Sequence, residues 1–385
     1  MGKSIIRNRI LLSGFEIGDN NRGSAALGYG SIAFLRNKGF VNEGDEFWMV
    51  SVLDKWPWRN RNKKYTMRMI LAGECVDVKM ARCYRFEYSL YLKTKFSLPF
   101  TPLGKLVRRV KLTAATNGGD GFSDIYSDSV FLNRLTESWV AMKENVQVII
   151  LPQTLGPFRS EKMRSVANVI LRYASKIYIR DNKFEEELCR MDLAYEKEKD
   201  LSAYMDPEPW DINVVDGAVG INISGLAYDN VFGTLKGQFN TYPKLITEII
   251  KNFLNEGLKV YLIPHSYNYF NPEIGNDDMT ATRKVYESLE DKSNVVFVDK
   301  NLLSPQIKYI ISKMSFFVGT RMHANFAAIY TNVPVFGLAY SYKFAGAFEA
   351  NGHSADHTYM INNMSESDIP KVIDKINTLY VETKK

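Results

Sequence analysis

The sequence predicts an α/β protein built from two open domains with a ligand cleft between them. Three observations carry this. The chain has 385 residues, enough for two domains of roughly 150–200 residues each. Short apolar runs of strand character alternate with stretches of helical spacing, the pattern of parallel sheets covered by helices on both faces. The alternation breaks once, at Asp206-Pro207-Glu208-Pro209-Trp210, where two prolines among acidic residues suit neither regular element.

Before that break, strands are expected at 9–13, 47–53, 112–116, 146–151 and 177–179. Helices are expected at 25–37, 129–143 and 161–173. After it, strands are expected at 218–223, 259–263, 295–298, 316–318 and 333–336, and helices at 242–255, 278–290, 305–313 and 321–330. A final helix at 369–381 follows Ser365 and Asp368, spaced as a capping box. The domains therefore read as 1–206 and 215–385, joined by a linker at 207–214. A long basic and aromatic insertion, about 55–111, fits no element of the alternation.

Composition narrows the function class. Hydrophobic residues at 45% and charged residues at 24% are ordinary for a chain that buries a core. The net charge of +6 fits an anionic substrate or membrane surface and is too small to argue for nucleic acid. Three cysteines without metal-type spacing point to a reducing cytoplasm. No apolar run reaches the roughly 18 residues that span a bilayer. Membrane contact, if made, is peripheral, and the 55–111 insertion is either an anionic-lipid or acceptor surface or a solvated excursion.

In open α/β sheets, ligands lie beyond the carboxyl ends of the strands, and the unusual residues fall in those loops. Gly18-Asp19-Asn20-Asn21-Arg22-Gly23 precedes a helix; it suits an approaching anion or a simple capping turn. Asn117-Gly118-Gly119-Asp120-Gly121 follows the third strand, and Asp120 can accept from a sugar hydroxyl. Gln153 and Thr154 end the fourth strand between two prolines. Arg180 ends the fifth, with Asp181 placed as a helix cap; an ion pair for Arg180 is the plain alternative. His265 with Asp277 and Asp278 matches no common zinc spacing, so cleft lining is preferred to a metal. The most informative stretch is Val318-Gly319-Thr320-Arg321-Met322-His323: strand, turn, then helix, with Arg321 and His323 at the helix opening. Backbone amides, the helix dipole and Arg321 favour an anion there, and His323 can move a proton near neutral pH.

In order and spacing, these loops resemble the polysaccharide pyruvyl transferase family. The matching segments are Gly18–Gly23, Gly118-Gly119-Asp120, 153–157, Ile179-Arg180-Asp181, Gly319–His323, and Val333-Pro334-Val335 through Tyr340 to Lys343. The resemblance covers about residues 9–346. It departs where Ser24 stands in place of the acid that commonly follows the first loop, and where Met322 stands in the usual Arg-Leu-His.

The resemblance implies a GT-B-like fold. It also implies transfer of a pyruvyl group from phosphoenolpyruvate to two hydroxyls of a sugar, giving a cyclic ketal and phosphate in surface or capsular polysaccharide biosynthesis. Arg180 and Arg321 would clamp the donor's phosphate and carboxylate, since guanidinium binds such groups bidentately. Thr320 and Met322 would flank them, and His323 would protonate the enol methylene. Asn20, Asn21, Asp120, Gln153, His265, Tyr340 and Lys343 would line the acceptor site or cleft. The first domain would be the acceptor side and the second the phosphoenolpyruvate side. No cofactor, metal or nucleic acid is expected. The acceptor would be lipid-linked or nucleotide-linked, met in the cytoplasm or at the inner membrane face. A glycosyltransferase with a nucleotide-sugar donor, and a non-catalytic sugar-binding protein, are the alternatives on the same fold.

Overall fold

The computed structural model describes residues 8–14, 20–53, 65–71, 73–96, 98–119, 121–341 and 343–384. They divide into two compact units, one of residues 8–14 and 24–205, the other of 20–23 and 206–384.

Among the described residues the first unit carries eight strands: β1 (Arg9–Ser13), β2 (Glu46–Leu53), β3 (Tyr65–Leu71), β4 (Glu74–Tyr84), β5 (Leu112–Ala115), β6 (Gln147–Gln153), β7 (Lys176–Ile179) and β8 (Glu196–Lys197). Their order is β3-β4-β2-β1-β5-β6-β7-β8. All neighbours are parallel except β3 and β4. The helices are α1 (Arg22–Asn37), α2 (Arg85–Thr94), α3 (Pro102–Val107), α4 (Asp128–Lys143), α5 (Glu161–Tyr173) and α6 (Glu185–Arg190). Arg22 and Gly23, the first residues of α1, group with the second unit.

The second unit has β9 (Val219–Asn222), β10 (Val260–Leu262), β11 (Val295–Phe297), β12 (Phe316–Gly319), β13 (Val335–Ala339) and β14 (Thr358–Met360), in the order β11-β10-β9-β12-β13-β14 and parallel throughout. Its helices are α7 (Gly225–Asp229), α8 (Tyr242–Asn255), α9 (Asp278–Ser288), α10 (Ser304–Ser312), α11 (Met322–Ile329), α12 (Lys343–Glu349) and α13 (Ile369–Glu382).

Helices on both faces bury a parallel strand on both sides, so its whole length must be apolar. In β12 all four residues are buried: Phe316 and Val318 enter one core cluster, Phe317 the other. Helix α8 covers this sheet with Leu245, Ile246, Ile249, Ile250 and Phe253, recurring at helical spacing. Helix starts are marked by their caps. Ser127 accepts from Val130 N, Ser160 from Met163 N, and Asp277 from Thr280 N. Ser365 N donates to Asp368 Oδ2 at 2.9 Å, the expected capping box, across a single 3₁₀ turn ahead of α13.

Each sheet has a switch point from which the chain winds outward in both directions, between β1 and β5 in the first unit and between β9 and β12 in the second. A ligand crevice opens at the carboxyl side of such a switch point. At the first, Gly14 (φ +89°) lies so close to the loop after β5 that a Cβ there would stand 2.4 Å from Asn117 N. Only glycine permits both that angle and that approach.

Two expectations change. The described part of the 55–111 insertion is folded into the first unit. β4 pairs with β2 in parallel from Phe47↔Val78 to Leu53↔Tyr84, and β3 pairs with β4. The alternation of Val76, Val78 and Met80 buried with Cys75 and Asp77 exposed is that of a half-buried strand, masked in the sequence by its many charges. The basic run 55–64 lies outside the described residues. The segment 207–214 is packed rather than a free linker: Trp210, Ile212 and Val214 rest on the apolar core of the second unit. Tyr261 OH donates to Asn213 O at 2.9 Å, and Glu208 N donates to Pro305 O at 3.1 Å. Among the described residues, no helix is long and apolar enough to cross a membrane.

Candidate functional site

At the β9/β12 switch point of the second unit, one carboxylate gathers the loops. Asp278 opens α9 and is fully buried. It accepts from Gly225 N at 2.9 Å, Asn222 Nδ2 at 3.3 Å, His265 N at 3.2 Å and Ser266 N at 2.9 Å. Arg321, directly after β12, adds Nε at 3.0 Å and Nη2 at 2.7 Å. Arg321 Nη2 also donates to Asn276 O and Oδ1, at 3.1 and 2.8 Å. Loops following β9, β10 and β12 are thus tied to one ion pair. Burial works against the charged guanidinium, but Asp278, then Tyr340 and Tyr242, outweigh it and hold Arg321 above its usual range. Arg321 is cationic at every working pH.

This geometry corrects the simple clamp. The Nε–Nη2 edge of Arg321 is committed to Asp278 and Asn276; Nη1 is the nitrogen with no hydrogen-bond partner among the described residues. Thr320 is fully buried, its hydroxyl shared with Tyr242 OH at 2.7 Å and set 3.2 Å from Asn222 O. Its side chain therefore braces β9 against β12 and cannot turn to a ligand. Met322 packs on the apolar core, so what it can offer a ligand is its first-turn amide. Arg321 caps α11 by backbone conformation, with no side-chain cap bond.

His323 is the second residue of α11 and half-buried. Its ring meets Phe326 edge-on at 5.5 Å between centroids. A Cβ on Gly23 would lie 2.5 Å from His323 Nδ1, so the glycine leaves the space the imidazole occupies. His265 is buried nearby with Nδ1 unpartnered among the described residues. Burial first, then the positive neighbours His323, Arg321 and Arg22, push its pKa well down, so it is neutral at pH 7.

The described part of the first loop is anchored by Arg22. Arg22 is buried and donates to Leu302 O at 2.9 Å, Asn20 O at 2.7 Å, Tyr267 O at 2.9 Å and Asn301 Oδ1 at 3.1 Å. It also lies 4.1 Å from the centre of the Tyr267 ring. Asn21 bridges to Ser266, and Tyr267 N donates to Asn20 O at 3.0 Å. Asn20, Asn21 and His265 are therefore in one neighbourhood with Arg321 and His323. Tyr340 follows β13, packs against Phe344 at 5.4 Å, and is electrostatically coupled to Arg321. The Lys343 side chain lies outside the described residues, as does Asp120.

Two other expected residues sit in the first unit. Arg180 Nη1 pairs with Asp200 at 2.6 Å and Nε donates to Thr154 Oγ1 at 3.1 Å, the ion pair left open by the sequence. Thr154 in turn donates to Asp181. Asp181 does not cap a helix: α6 begins four residues on, with Phe184 at the cap position. Gln153 is fully buried, with Nε2 donating to Ala115 O at 2.9 Å and Oε1 unpartnered among the described residues.

Sequence reasoning missed Asp278 as the partner of Arg321, and Arg22 as an anchor. Asp278 had one signal, its place at a helix start beside His265. Arg22 had none, since its partners lie up to 280 residues away.

Comparison with known proteins agrees with this architecture. The family model described as polysaccharide pyruvyl transferase matches residues 21–342. Among solved structures, the chain is similar to the UDP-GlcNAc 2-epimerase of Neisseria meningitidis bound to UDP-GlcNAc. That match has a TM-score of 0.55 at 9% identity, over 98% of this chain and 92% of that one. It is also similar to a putative UDP-N-acetylglucosamine 2-epimerase of Listeria monocytogenes, with a TM-score of 0.51 at 10% identity over 99% and 91%. At such identities the likeness speaks for the fold alone, which is the GT-B fold.

Proposed function

The chain belongs to the polysaccharide pyruvyl transferase family, and from that premise we propose that it transfers the pyruvyl group of phosphoenolpyruvate to two hydroxyls of a sugar, forming a ketal and releasing phosphate. The observation that carries this reading is the pairing of a permanently cationic Arg321 with His323 at the opening of α11, on the β9/β12 switch point. Arg321 Nη1 and the Met322 amide face the donor's anionic groups, helped by the helix dipole. Asp278 holds the guanidinium in place, so the cation is oriented before the donor arrives.

In the proposed reaction His323 gives a proton to the methylene of phosphoenolpyruvate. The first sugar hydroxyl adds to the central carbon and its proton goes to His323, restoring the acid. The second hydroxyl then displaces phosphate, and its proton leaves with the phosphate as hydrogen phosphate. A positioned acid of this kind contributes about 10²–10⁴-fold. Arg180 is the first unit's candidate for donor binding, and Gln153 for the acceptor. A role in capsular or other surface polysaccharide, and peripheral contact with an anionic membrane, belong to this proposal and are supported by the family and the +6 charge.

The test is phosphate release from phosphoenolpyruvate with galactose-, mannose- and glucosamine-containing acceptors, read beside product mass. Acceptor-dependent release with the mass gain of one pyruvate ketal is expected. Replacing His323 by Ala should keep donor binding and lower turnover by about 10²-fold or more. Full turnover in that variant removes His323 from the reaction.

A further inference from the structure

Next to Arg321 the second unit holds a cavity of about 300 Å³, lined chiefly by Asn20, Ser266, Asn268, Glu273, Asn276 and Asp277. Asn276 joins the two places: it accepts from Arg321 Nη2 at 2.8 Å and donates to Glu273 Oε2 at 3.1 Å. The volume is at the low end of ligand pockets, which run about 300–1,000 Å³, and suits one sugar ring.

The polar groups left over in this cavity describe its ligand. Asn268 Oδ1 accepts from Phe270 N and Asn271 N at 3.3 and 3.1 Å, so its Nδ2 is the available donor. Glu273 keeps Oε1 as an acceptor once Oε2 is bonded to Asn276. Asn20 and Ser266 use only backbone atoms in their hydrogen bonds among the described residues. Asp277 is occupied, accepting from Thr280 N at 2.8 Å and Asn268 N at 2.9 Å. No Lys or Arg lines the cavity among the described residues. Hydroxyls both donate and accept, so vicinal hydroxyls match this mixture. A carboxylate or phosphate would meet Glu273 with no cation in the wall to offset the repulsion.

We propose that this cavity is the subsite for a neutral hexose of the acceptor, and that it excludes uronic acids and phosphorylated sugars. The inference rests on the pyruvyl-transfer reading for the word acceptor. It puts an acceptor subsite in the second unit, the half that the sequence had read chiefly as the phosphoenolpyruvate side. The anionic donor and the neutral sugar are then sorted by charge: the donor to Arg321 and the start of α11, the sugar to the amides and Glu273.

Saturation-transfer NMR with methyl galactoside, methyl mannoside, methyl glucoside and methyl glucuronide tests this on the full-length protein. A signal from at least one neutral hexoside and none from the glucuronide is expected. Asn268→Asp keeps the Oδ1 acceptor and removes the donor; Glu273→Lys reverses the charge of an exposed residue. Each should weaken the neutral hexoside by about tenfold, the size of one hydrogen bond involving a charged group. Glu273→Lys should also admit the glucuronide, and phosphoenolpyruvate should stabilise both variants as it does the parent. No signal from any probe, equal binding of glucuronide to the parent, or variants that bind as the parent does would overturn the proposal. If the variants lose the hexoside while no acceptor releases phosphate, the cavity stands and the pyruvyl-transfer reading falls. If phosphate release continues with an unchanged acceptor KM in both variants, the reading stands and the cavity is not the acceptor's.

Discussion

Arg321 and Arg180 look alike in the sequence, each closing an apolar strand before a polar turn, but they are held in different ways. Arg321 presents two nitrogens to Asp278, a carboxylate that also receives amide hydrogens from loops after β9 and β10. Arg180 donates through Nη1 to Asp200, which also accepts from Ser202, and through Nε to Thr154. The first pair ties together the loops after β9, β10 and β12; the second links one strand end to the 3₁₀ turn Leu201–Tyr204. A buried carboxylate that serves several loops cannot lose its cation without leaving a charge unpaired. Asp200 is buried as well, so the smaller cost expected on losing Arg180 rests on the fewer elements that its pair ties together.

This difference can be broken or sharpened by measurement. The largest effect is expected for Arg321→Ala, which strands Asp278 and should cost about 3–5 kcal/mol in urea unfolding. Even Arg321→Lys should lower the melting temperature, because an ammonium cannot span Asp278 and Asn276 together. A melting temperature equal to the parent's in both variants would show that the ion pair does not hold the loops. Next comes Arg180→Ala, expected to cost about 1.5–3 kcal/mol; a loss equal to that of Arg321→Ala would erase the contrast. Gln153→Ala removes one bond to Ala115 O and should cost about 1 kcal/mol, checked in the same unfolding series.

The smallest effect concerns pH. The folded protein keeps His265 neutral, while the unfolded chain protonates it below about pH 6.5. The unfolded state therefore binds more protons as pH falls through that value, and stability drops on the acid side. His265→Gln should flatten the fall in melting temperature between pH 7 and 5 relative to the parent. An unchanged slope would mean that His265 is not a source of the acid sensitivity.

Much of this architecture is legible locally. The strand at Phe316–Gly319 and the helix beginning at Met322 follow from an apolar run and its change of period. Arg321 and His323 could therefore be placed at a strand–helix junction from the sequence. α5 and α8 begin and end where their spacing says, α5 with Ser160 capping its start and α8 with Pro243 in its first turn. β4 was hidden because one face is exposed, and charged residues there blur the alternation. The role of Arg22 was hidden because three of its four acceptors, at Tyr267, Asn301 and Leu302, come from distant turns.

Hydrophobic period and turn chemistry act over a few residues, so most of the order of elements, the two α/β halves and the polar loops at strand ends are written in the chain itself. Which groups meet in those loops is not. Arg321 finds Asp278 across 43 residues, Thr320 finds Tyr242 across 78, and Arg22 finds Leu302 across 280. Hydrogen bonds demand heavy-atom approach within about 3 Å and near-linear donors. That condition is met only after parallel strands bring the ends of separate loops side by side, and so the folded sheet selects the partners.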